Sequence, residues 1–144
     1  MINSRFDKVV GFAAGCFDVG PHAGHFLMLE EAKQNCEYLI IGLHIDPTLD
    51  RPDTKRKPLP SISERYICLS ACKYVDEIIP YQTEDELLNL LRALKPNIRF
   101  LGADYRGKTF TGHDMAGIRN YFCSRDHDMS STALRKKIIA AGMK

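Results

Sequence analysis

The order of apolar and polar positions along the chain predicts strands that alternate with helices. Two apolar runs, residues 9–14 and 37–43, have the continuous character of strands buried on both faces of a parallel sheet. A helix-like segment, residues 26–34, lies between them. A strand, a helix and a second strand in this order form a right-handed βαβ unit, so the first third of the chain predicts an α/β fold.

Capping-box spacing marks the starts of two further helices. Ser61 with Glu64 predicts a helix from Ile62, and Thr83 with Glu86 predicts another, whose leucine stripe stops before a proline. On the first of these helices, the positions predicted to face the core are Ile62, Tyr66, Leu69 and Cys72.

The remaining apolar segments complete a sheet. Residues 75–81, 98–101 and 120–123 predict three more strands, and Ser130 is a plausible cap for a last helix over residues 131–141. Residues 102–117 contain four glycines and predict an irregular connection with at most a short helix. We therefore predict an α/β fold: an open, mostly parallel, five-stranded Rossmann-like sheet with helices on both faces, in a single domain over residues 1–144.

The composition narrows the possible partners and compartment. A net charge of +2 is too small for a general polyanion binder, so we expect no nucleic-acid partner. No apolar run approaches the ~20 residues that span a bilayer, so we expect no membrane partner. The five cysteines form no Cys-x-x-Cys pair, and residues 1–8 lack the apolar core of a signal peptide. These features favour reduced thiols in a cytoplasmic protein.

The stretch that most suggests chemistry is residues 15–25, between the first strand and the first helix. Its three glycines allow a backbone to approach a ligand closely. The helix that follows offers unpaired N–H groups and the positive end of its dipole to an anion. His22 and His25 lie three apart, on one face of the first turn. The stretch therefore predicts a site for a nucleoside triphosphate.

Two alternative interpretations concern residues of this stretch. A zinc site would need more ligands than the two histidines, and the other three histidines of the chain lack paired spacing, so zinc is disfavoured. Asp18 fits either of two roles. Its carboxylate could orient a histidine or an acceptor hydroxyl, or it could close the turn by a hydrogen bond to nearby backbone.

Residues 102–109 fit the Walker A pattern Gly-x-x-x-x-Gly-Lys-Thr and follow a predicted strand. A working P-loop leads directly into a firm helix, whereas residues 110–117 contain two glycines and no apolar stripe. The segment that remains after Thr109 is also too short for the rest of a P-loop core. We therefore interpret the match as accidental and predict that Lys108 does not bind phosphate.

The ordered set of motifs resembles the nucleotidyltransferase superfamily, whose signature is His-x-Gly-His. The resemblance is to the small cytidylyltransferases of the glycerol-3-phosphate cytidylyltransferase type, and it runs over residues 9–139. The segments that carry it are His22-Ala23-Gly24-His25 after Gly15-Cys16-Phe17-Asp18, residues 64–65, 74–80 and 102–105, and Arg125 followed by Ser130-Ser131-Thr132.

The resemblance implies transfer of CMP from CTP to a small phosphorylated acceptor such as glycerol 3-phosphate, with release of pyrophosphate and with Mg²⁺ accompanying the triphosphate. We expect a homodimer and no metal ligand among the side chains. The catalytic residues it implies are His22, His25, Lys55 or Lys57, and Arg125. The nucleotide-binding residues it implies are Gly15, Cys16, Phe17, Gly24, Gly102, Asp104, Ser130, Ser131 and Thr132, and the acceptor-binding residues are Asp18 and Arg65.

Three positions depart from the resembling enzymes and leave the substrates open. Cys16 stands where the glycerol-phosphate enzymes usually have Thr, and it resembles the sugar-phosphate adenylyltransferases of the heptose pathway. Tyr105 stands where Trp is common, and one extra residue separates Asp18 from His22. The alternatives are therefore an adenylyltransferase that uses ATP and a heptose-type sugar phosphate, or a non-catalytic nucleotide-binding module.

Overall fold

A computed structural model describes residues 7–142 of the chain. Its sheet has five strands in the order β3-β2-β1-β4-β5, and all four pairings are parallel. The predicted open, parallel α/β fold is therefore confirmed. The elements are β1 Val10–Gly15, α1 Ala23–Gln34, β2 Tyr38–His44, α2 Ile62–Ser70, β3 Glu77–Tyr81, α3 Glu84–Leu94, β4 Ile98–Leu101, a single-turn 3₁₀ helix Ala103–Tyr105, β5 Arg119–Phe122 and α4 Ser131–Ala141.

Each face of the sheet carries its own apolar core. On one face Leu29 of α1 and Leu69 of α2 pack against Ala13 of β1, and on the other Leu91 of α3 packs in the cluster that contains Phe12. Successive residues of β1 point to opposite faces, as the strand period of two requires. The predicted placement of helices on both faces is therefore confirmed.

The strand order reverses between β1 and β4. The chain passes from β1 to β2 and then to β3 on one side, and after α3 it returns to β4 on the other side of β1. In open α/β sheets, ligands bind in the crevice beyond the carboxyl ends of the strands at such a switch point. The fold therefore places its natural crevice where Gly15 and Leu101 end their strands.

The predicted caps are present, with one difference. Ser61 Oγ accepts from the Glu64 N–H at 3.1 Å, and the Glu64 carboxylate accepts from the Ser61 N–H at 2.6 Å, which completes the capping box of α2. At α3, Thr83 Oγ1 accepts from the Glu86 N–H at 3.1 Å, but the Glu86 carboxylate accepts from Gln82 instead of Thr83. The second box is therefore only half formed.

The inner face of α2 differs from the prediction at one position. Leu69 is fully buried and Cys72 is 8% exposed, as expected, whereas Tyr66 is 42% exposed. Arg65, 2% exposed, points inward instead. The hydrophobic pattern did not indicate this, because the reason is a set of distant backbone carbonyls that Arg65 binds.

Two predictions about the whole chain can be compared with the structure only over residues 7–142. No helix between residues 7 and 142 is long and apolar enough to cross a membrane. The expectation that residues 1–8 hold no signal peptide lies outside the described residues except at its last two positions.

Candidate active site

His22 and His25 together cap the N-terminus of α1. His22 Nδ1 accepts a hydrogen bond from the Gly24 N–H at 3.0 Å, and His25 Nδ1 accepts from the His22 N–H at 3.1 Å. Their rings stack with centroids 3.8 Å apart. Because both Nδ1 atoms accept, each neutral ring carries its proton on Nε2. The cap therefore fixes both rings and orients both remaining donors.

The surroundings keep these two histidines neutral. Burial and, to a smaller extent, the nearby His22 lower the pKa of His25 to about 3. Burial also lowers the pKa of His22, as do the charges of His127 and Arg125. A neutral imidazole supplies a hydrogen-bond donor and no positive charge. These two residues can therefore stabilise negative charge only by donating a hydrogen bond from Nε2–H.

The N-terminus of α4 lies directly beside the histidine pair. His22 Nε2 is 3.2 Å from Ser131 Oγ, and that hydroxyl donates to the Asp18 carbonyl at 3.3 Å. A Cβ on Gly24 would lie 3.0 Å from the Met129 carbonyl oxygen and 2.9 Å from the His22 ring, so this close approach needs glycine. Two helix N-termini therefore converge, and each can bind an anion.

Other predicted phosphate ligands lie at the same junction. Ser130 Oγ caps α4 by accepting from the Ala133 N–H at 3.0 Å, and Thr132 Oγ1 accepts from Arg56 Nη2 at 3.1 Å. Arg125 is exposed, and its charge lies close enough to His22 to lower the pKa of that ring. The structure thus brings His22, His25, Arg125, Ser130, Ser131 and Thr132 together. A cavity of about 270 Å³ borders this junction between α1 and α4.

A larger cavity, of about 360 Å³, lies at the carboxyl ends of the strands. It sits at the β1–β4 switch point and falls within the usual size range of small-molecule sites. We call it the switch-point cavity. Gly15, Cys16, Lys55 and Gly102 are the predicted site residues that line it.

The two candidate lysines differ in position. Lys55 lines the switch-point cavity, whereas Lys57 is not part of its wall. The Lys57 backbone carbonyl accepts from Arg135 Nη2 at 3.4 Å, which ties this part of the loop to α4. The geometry therefore favours Lys55 over Lys57 as the cation that meets a ligand in this cavity.

Cys16 and Phe17 follow β1 but have different roles. Burial raises the pKa of the Cys16 thiol to about 11, so it lines the cavity as a neutral group. Phe17 is 2% exposed, and its ring centroid lies 5.0 Å from that of His25. The Phe17 side chain therefore supports His25 from the core, which leaves only its backbone for contact with a nucleotide.

The carboxylate of Asp18 is occupied by the protein itself. Oδ1 accepts from the N–H groups of Val19 at 2.8 Å and Leu59 at 2.9 Å, and Oδ2 accepts from Arg135 Nε at 3.1 Å and from its Nη2. Burial alone would raise the pKa of Asp18, but the hydrogen bonds from Arg135, Leu59 and Val19 hold it below its usual range. The turn-closing interpretation fits this geometry, and the acceptor contact of Asp18 stays a prediction.

Arg65 is likewise a structural residue. Its guanidinium donates to the carbonyls of Pro60 at 3.1 Å, Cys16 at 2.9 Å, His44 at 2.7 Å and Ile45 at 2.7 Å. These bonds join the carboxyl ends of β1 and β2 to the start of α2. The side chain is buried and bonded to backbone carbonyls, and its acceptor contact stays a prediction.

The segment that fits the Walker A pattern does not form a P-loop. Asp104 and Lys108 are exposed, and turns without a helix occupy residues 106–118. A Cβ on Gly102 would lie 2.7 Å from Asp104 Oδ1, so Gly102 allows the tight turn after β4. Asp104 does not line the switch-point cavity. The absence of a helix after Thr109 agrees with the interpretation of the Walker A match as accidental.

Sequence reasoning missed several polar residues of the switch-point cavity. Arg51, Glu84, Arg99 and Thr111 all line it. Only Arg99 carried a signal in the sequence, because it interrupts the apolar run of a short strand, where a charge must be buried.

The described residues hold no ready-made metal centre. Between residues 7 and 142, no three His, Cys, Asp or Glu side chains are grouped as metal ligands. A Mg²⁺ ion at this site would therefore be held largely by the phosphates of the nucleotide and by water, as is common for this ion.

Comparison with known proteins gives a consistent result. The model of the cytidylyltransferase-like family matches residues 12–137. Two curated relatives are both named bifunctional protein HldE: that of Campylobacter concisus is 35% identical over 115 residues, and that of Gluconacetobacter diazotrophicus is 34% identical over 136 residues. These matches cover 80% and 92% of this chain but 24% and 28% of the relatives. The chain thus spans about a quarter of their length.

Solved structures share the fold at lower identity. The lipopolysaccharide core biosynthesis protein of Thermoplasma volcanium aligns with a TM-score of 0.58 and 23% identity, over 94% of this chain and 90% of that one. Pantothenate synthetase of Thermus thermophilus aligns with a TM-score of 0.60 and 15% identity, over 89% of this chain and 64% of that one. Likeness at this identity supports the fold alone.

Proposed function

The chain belongs to the cytidylyltransferase-like family, and from this premise we propose that it transfers a nucleoside monophosphate from a nucleoside triphosphate to a small phosphorylated acceptor, releasing pyrophosphate. The observation that carries the proposal is the meeting of the α1 and α4 N-termini at His22 and His25. A cavity of small-molecule size also lies at the switch point of the sheet.

The reaction needs no general base from the protein. A phosphate monoester has a second pKa near ~6 and is already an anion at neutral pH. One of its oxygens attacks the α-phosphorus in line and forms the new P–O bond. The bond from the α-phosphorus to the bridging oxygen breaks, and its electron pair leaves with pyrophosphate.

The protein would act by positioning substrates and by stabilising charge. His22 and His25, as neutral donors, would hydrogen-bond phosphate oxygens through Nε2–H. Arg125 and Lys55 would supply positive charge, and the two helix N-termini would supply backbone donors. Mg²⁺ bound to the triphosphate would neutralise charge on the departing pyrophosphate.

The sequence leaves two substrate pairs open, and the comparisons support them to different degrees. The HldE relatives support ATP with a heptose-type sugar phosphate better than CTP with glycerol 3-phosphate. Cys16 agrees with that choice, since it matches the sugar-phosphate adenylyltransferases. We therefore propose the adenylyl reaction as the main function. The cytidylyl reaction is the second candidate, which the family description favours.

Pyrophosphate release from a matrix of nucleotides and acceptors tests the proposal. ATP, CTP, GTP and UTP would each be combined with heptose phosphates, hexose 1-phosphates and glycerol 3-phosphate, with and without Mg²⁺. We expect turnover with ATP and a sugar phosphate, none with the unphosphorylated sugar, and loss of turnover in excess EDTA.

Other outcomes have clear meanings. Turnover only with CTP would replace the adenylyl assignment by the cytidylyl one. Nucleotide binding without turnover on any acceptor would support a non-catalytic module.

We also propose that the protein works as a cytoplasmic homodimer. Its cysteines are all free thiols, which suits a reducing compartment. Sedimentation equilibrium of the purified chain tests the oligomeric state, and a single species of monomer mass would contradict the dimer.

A further inference from the structure

Arg99 is a buried cation. Burial lowers its pKa, and the nearby Tyr81 and Glu84 act in the opposite direction. Arg99 lies on β4, is 5% exposed and lines the switch-point cavity. Its Nη1 donates to the Thr111 carbonyl, and its guanidinium carbon lies 5.0 Å from the centroid of the Phe110 ring. Within residues 7–142 it forms no ion pair, and its buried Nε has no hydrogen-bond partner. A charge buried in this way is destabilising until an anion compensates it.

The one carboxylate among the residues that line this cavity is already occupied. Glu84 Oε1 pairs with Arg51 Nη2 at 2.8 Å, and Glu84 Oε2 accepts from Thr111 Oγ1 at 2.9 Å. Lys55, in the same wall, also has no ion pair in the described part of the chain. The lining therefore has more cations than anions and favours an anionic ligand.

We propose that Arg99 binds an oxyanion of the acceptor, phosphate or carboxylate, in the switch-point cavity. The proposal rests on the proposed function and deepens it, because it assigns the acceptor its own charged contact. A guanidinium forms charge-assisted hydrogen bonds with phosphate and carboxylate oxygens. Nη2 is the nitrogen of Arg99 left for such a contact, since Nη1 donates to the Thr111 carbonyl and Nε is buried from solvent.

The position of Arg99 assigns this oxyanion to the acceptor and not to the nucleotide. His22 and Ser130 line the smaller cavity at the α1–α4 junction, where the triphosphate would bind, whereas Arg99 lines the other cavity. Arg99 therefore lies in a different cavity from the helix junction, where the charge of Arg125 acts on His22.

A purely structural role is the alternative that the experiment must exclude. Arg99 could serve only to tie Thr111 to β4 and to pack on Phe110. The substitution Arg99→Met keeps much of the aliphatic packing and removes the charge. Arg119→Met is the matched control, because Arg119 is an exposed arginine on the neighbouring strand β5 that packs over Tyr121 and lies outside both cavities.

The first measurement is calorimetric titration with inorganic phosphate. The protein is first saturated with the α,β-methylene analogue of the nucleotide that it binds, so that the junction is filled. We expect Arg99→Met to weaken phosphate binding at least ~10-fold, as loss of a charged hydrogen bond predicts, and Arg119→Met to match the wild type. Titration of the nucleotide analogue should show the reverse selectivity, with Arg125→Ala weakened and Arg99→Met unchanged. Wild-type phosphate affinity in Arg99→Met, or no phosphate binding by the wild type, would overturn the proposal.

The second measurement separates this proposal from the proposed function. In active enzyme, Arg99→Met should raise the acceptor KM at least ~10-fold and leave the nucleotide KM within ~3-fold, and Arg99→Lys should restore part of the loss. Normal acceptor KM in Arg99→Met would refute the oxyanion contact and leave the function intact. If a protein without turnover still binds phosphate through Arg99, the oxyanion contact stands and the proposed function is refuted. If Arg99→Met does not fold, Arg99→Gln decides, because it removes the charge and keeps a polar side chain; wild-type phosphate affinity in it would refute the contact.

Discussion

His22 and His25 cap α1 through Nδ1 and keep Nε2–H as a second donor. Nε2 of His22 lies 3.2 Å from Ser131 Oγ, at the N-terminus of α4. Substitution by alanine would therefore remove a helix cap, worth about 1 kcal/mol, together with any catalytic donor. A useful variant must keep the cap and lose only the second donor.

His22→Asn meets this requirement, because asparagine is a good N-cap but cannot reach as far as the imidazole Nε2. We expect kcat to fall at least ~100-fold, the typical effect of losing one donor to transition-state charge, with a melting temperature close to that of the wild type. Steady-state kinetics and calorimetry on the same sample check both parts. Undiminished kcat would remove His22 from the catalytic site.

Protonation of His25 should destabilise the fold. Its pKa in the folded protein is about 3, well below the ~6.5 of an unfolded chain, so the unfolded state binds more protons between these values. Stability should therefore fall as the pH drops from ~6.5 toward ~3. His25→Gln keeps a capping-box side chain that does not titrate, and it should lose less stability than the wild type over this range. Urea titrations at pH 7 and pH 4 measure the free energy of unfolding of both proteins. An equal loss of this free energy in the wild type and in His25→Gln would contradict a neutral, buried His25.

The distance between α1 and α4 at the site depends on Gly24. Alanine usually favours a helix over glycine, but a Cβ here would press on the Met129 carbonyl and the His22 ring. Contact between elements therefore outweighs local propensity at this position.

Gly24→Ala should separate the α1 and α4 N-termini by a few tenths of an ångström. Because catalysis depends on donors fixed in position, we expect kcat to fall at least ~10-fold while the helical content stays unchanged. Circular dichroism and kinetics test this together. Normal kcat would show that the helix junction tolerates the shift or plays no part in catalysis.

The α4 junction and the segment at residues 102–109 are competing locations for the triphosphate. Arg125→Ala should weaken nucleotide binding at least ~10-fold, since it removes a charge beside the converging N-termini. Lys108→Ala should leave the affinity within ~2-fold, because Lys108 is exposed and no helix follows it. Calorimetric titration with ATP and CTP compares the variants, and the opposite pattern would restore the P-loop interpretation.

Two buried arginines show how the whole fold is assembled around its ligand crevice. Arg65 binds four backbone carbonyls at the ends of β1 and β2 and at the start of α2, whereas Arg99 donates to one described carbonyl, that of Thr111, and lines the cavity. Arg65 therefore joins separate parts of the backbone, and Arg99 adds positive charge to the wall of the switch-point cavity.

Their methionine variants should differ accordingly. Arg65→Met would leave buried carbonyls unpaired, at about 1–3 kcal/mol each, so we expect a loss of at least ~3 kcal/mol or failure to fold. Arg99→Met should cost less, because it also removes an unpaired buried charge. Unfolding in urea measures both free energies. A larger loss in Arg99→Met than in Arg65→Met would reverse the assigned roles.

Local signals in the sequence determined much of this protein. The apolar runs placed all five strands, and the caps at Ser61 and Ser130 placed helix starts, because both depend on neighbours within a few residues. The order of motifs around His22 also indicated the family. The burial of Arg99 inside β4 was likewise readable, although its purpose was not.

Only the tertiary structure decided which charged residues face a ligand. Asp18 meets Arg135, and Arg65 meets the Cys16 carbonyl, across separations of 117 and 49 positions. No local pattern encodes such contacts, so both residues looked available for an acceptor although the fold had already paired them. The cavity arose in the same way, since Glu84, Arg99 and Thr111 come together only when α3 returns the chain to the far side of β1.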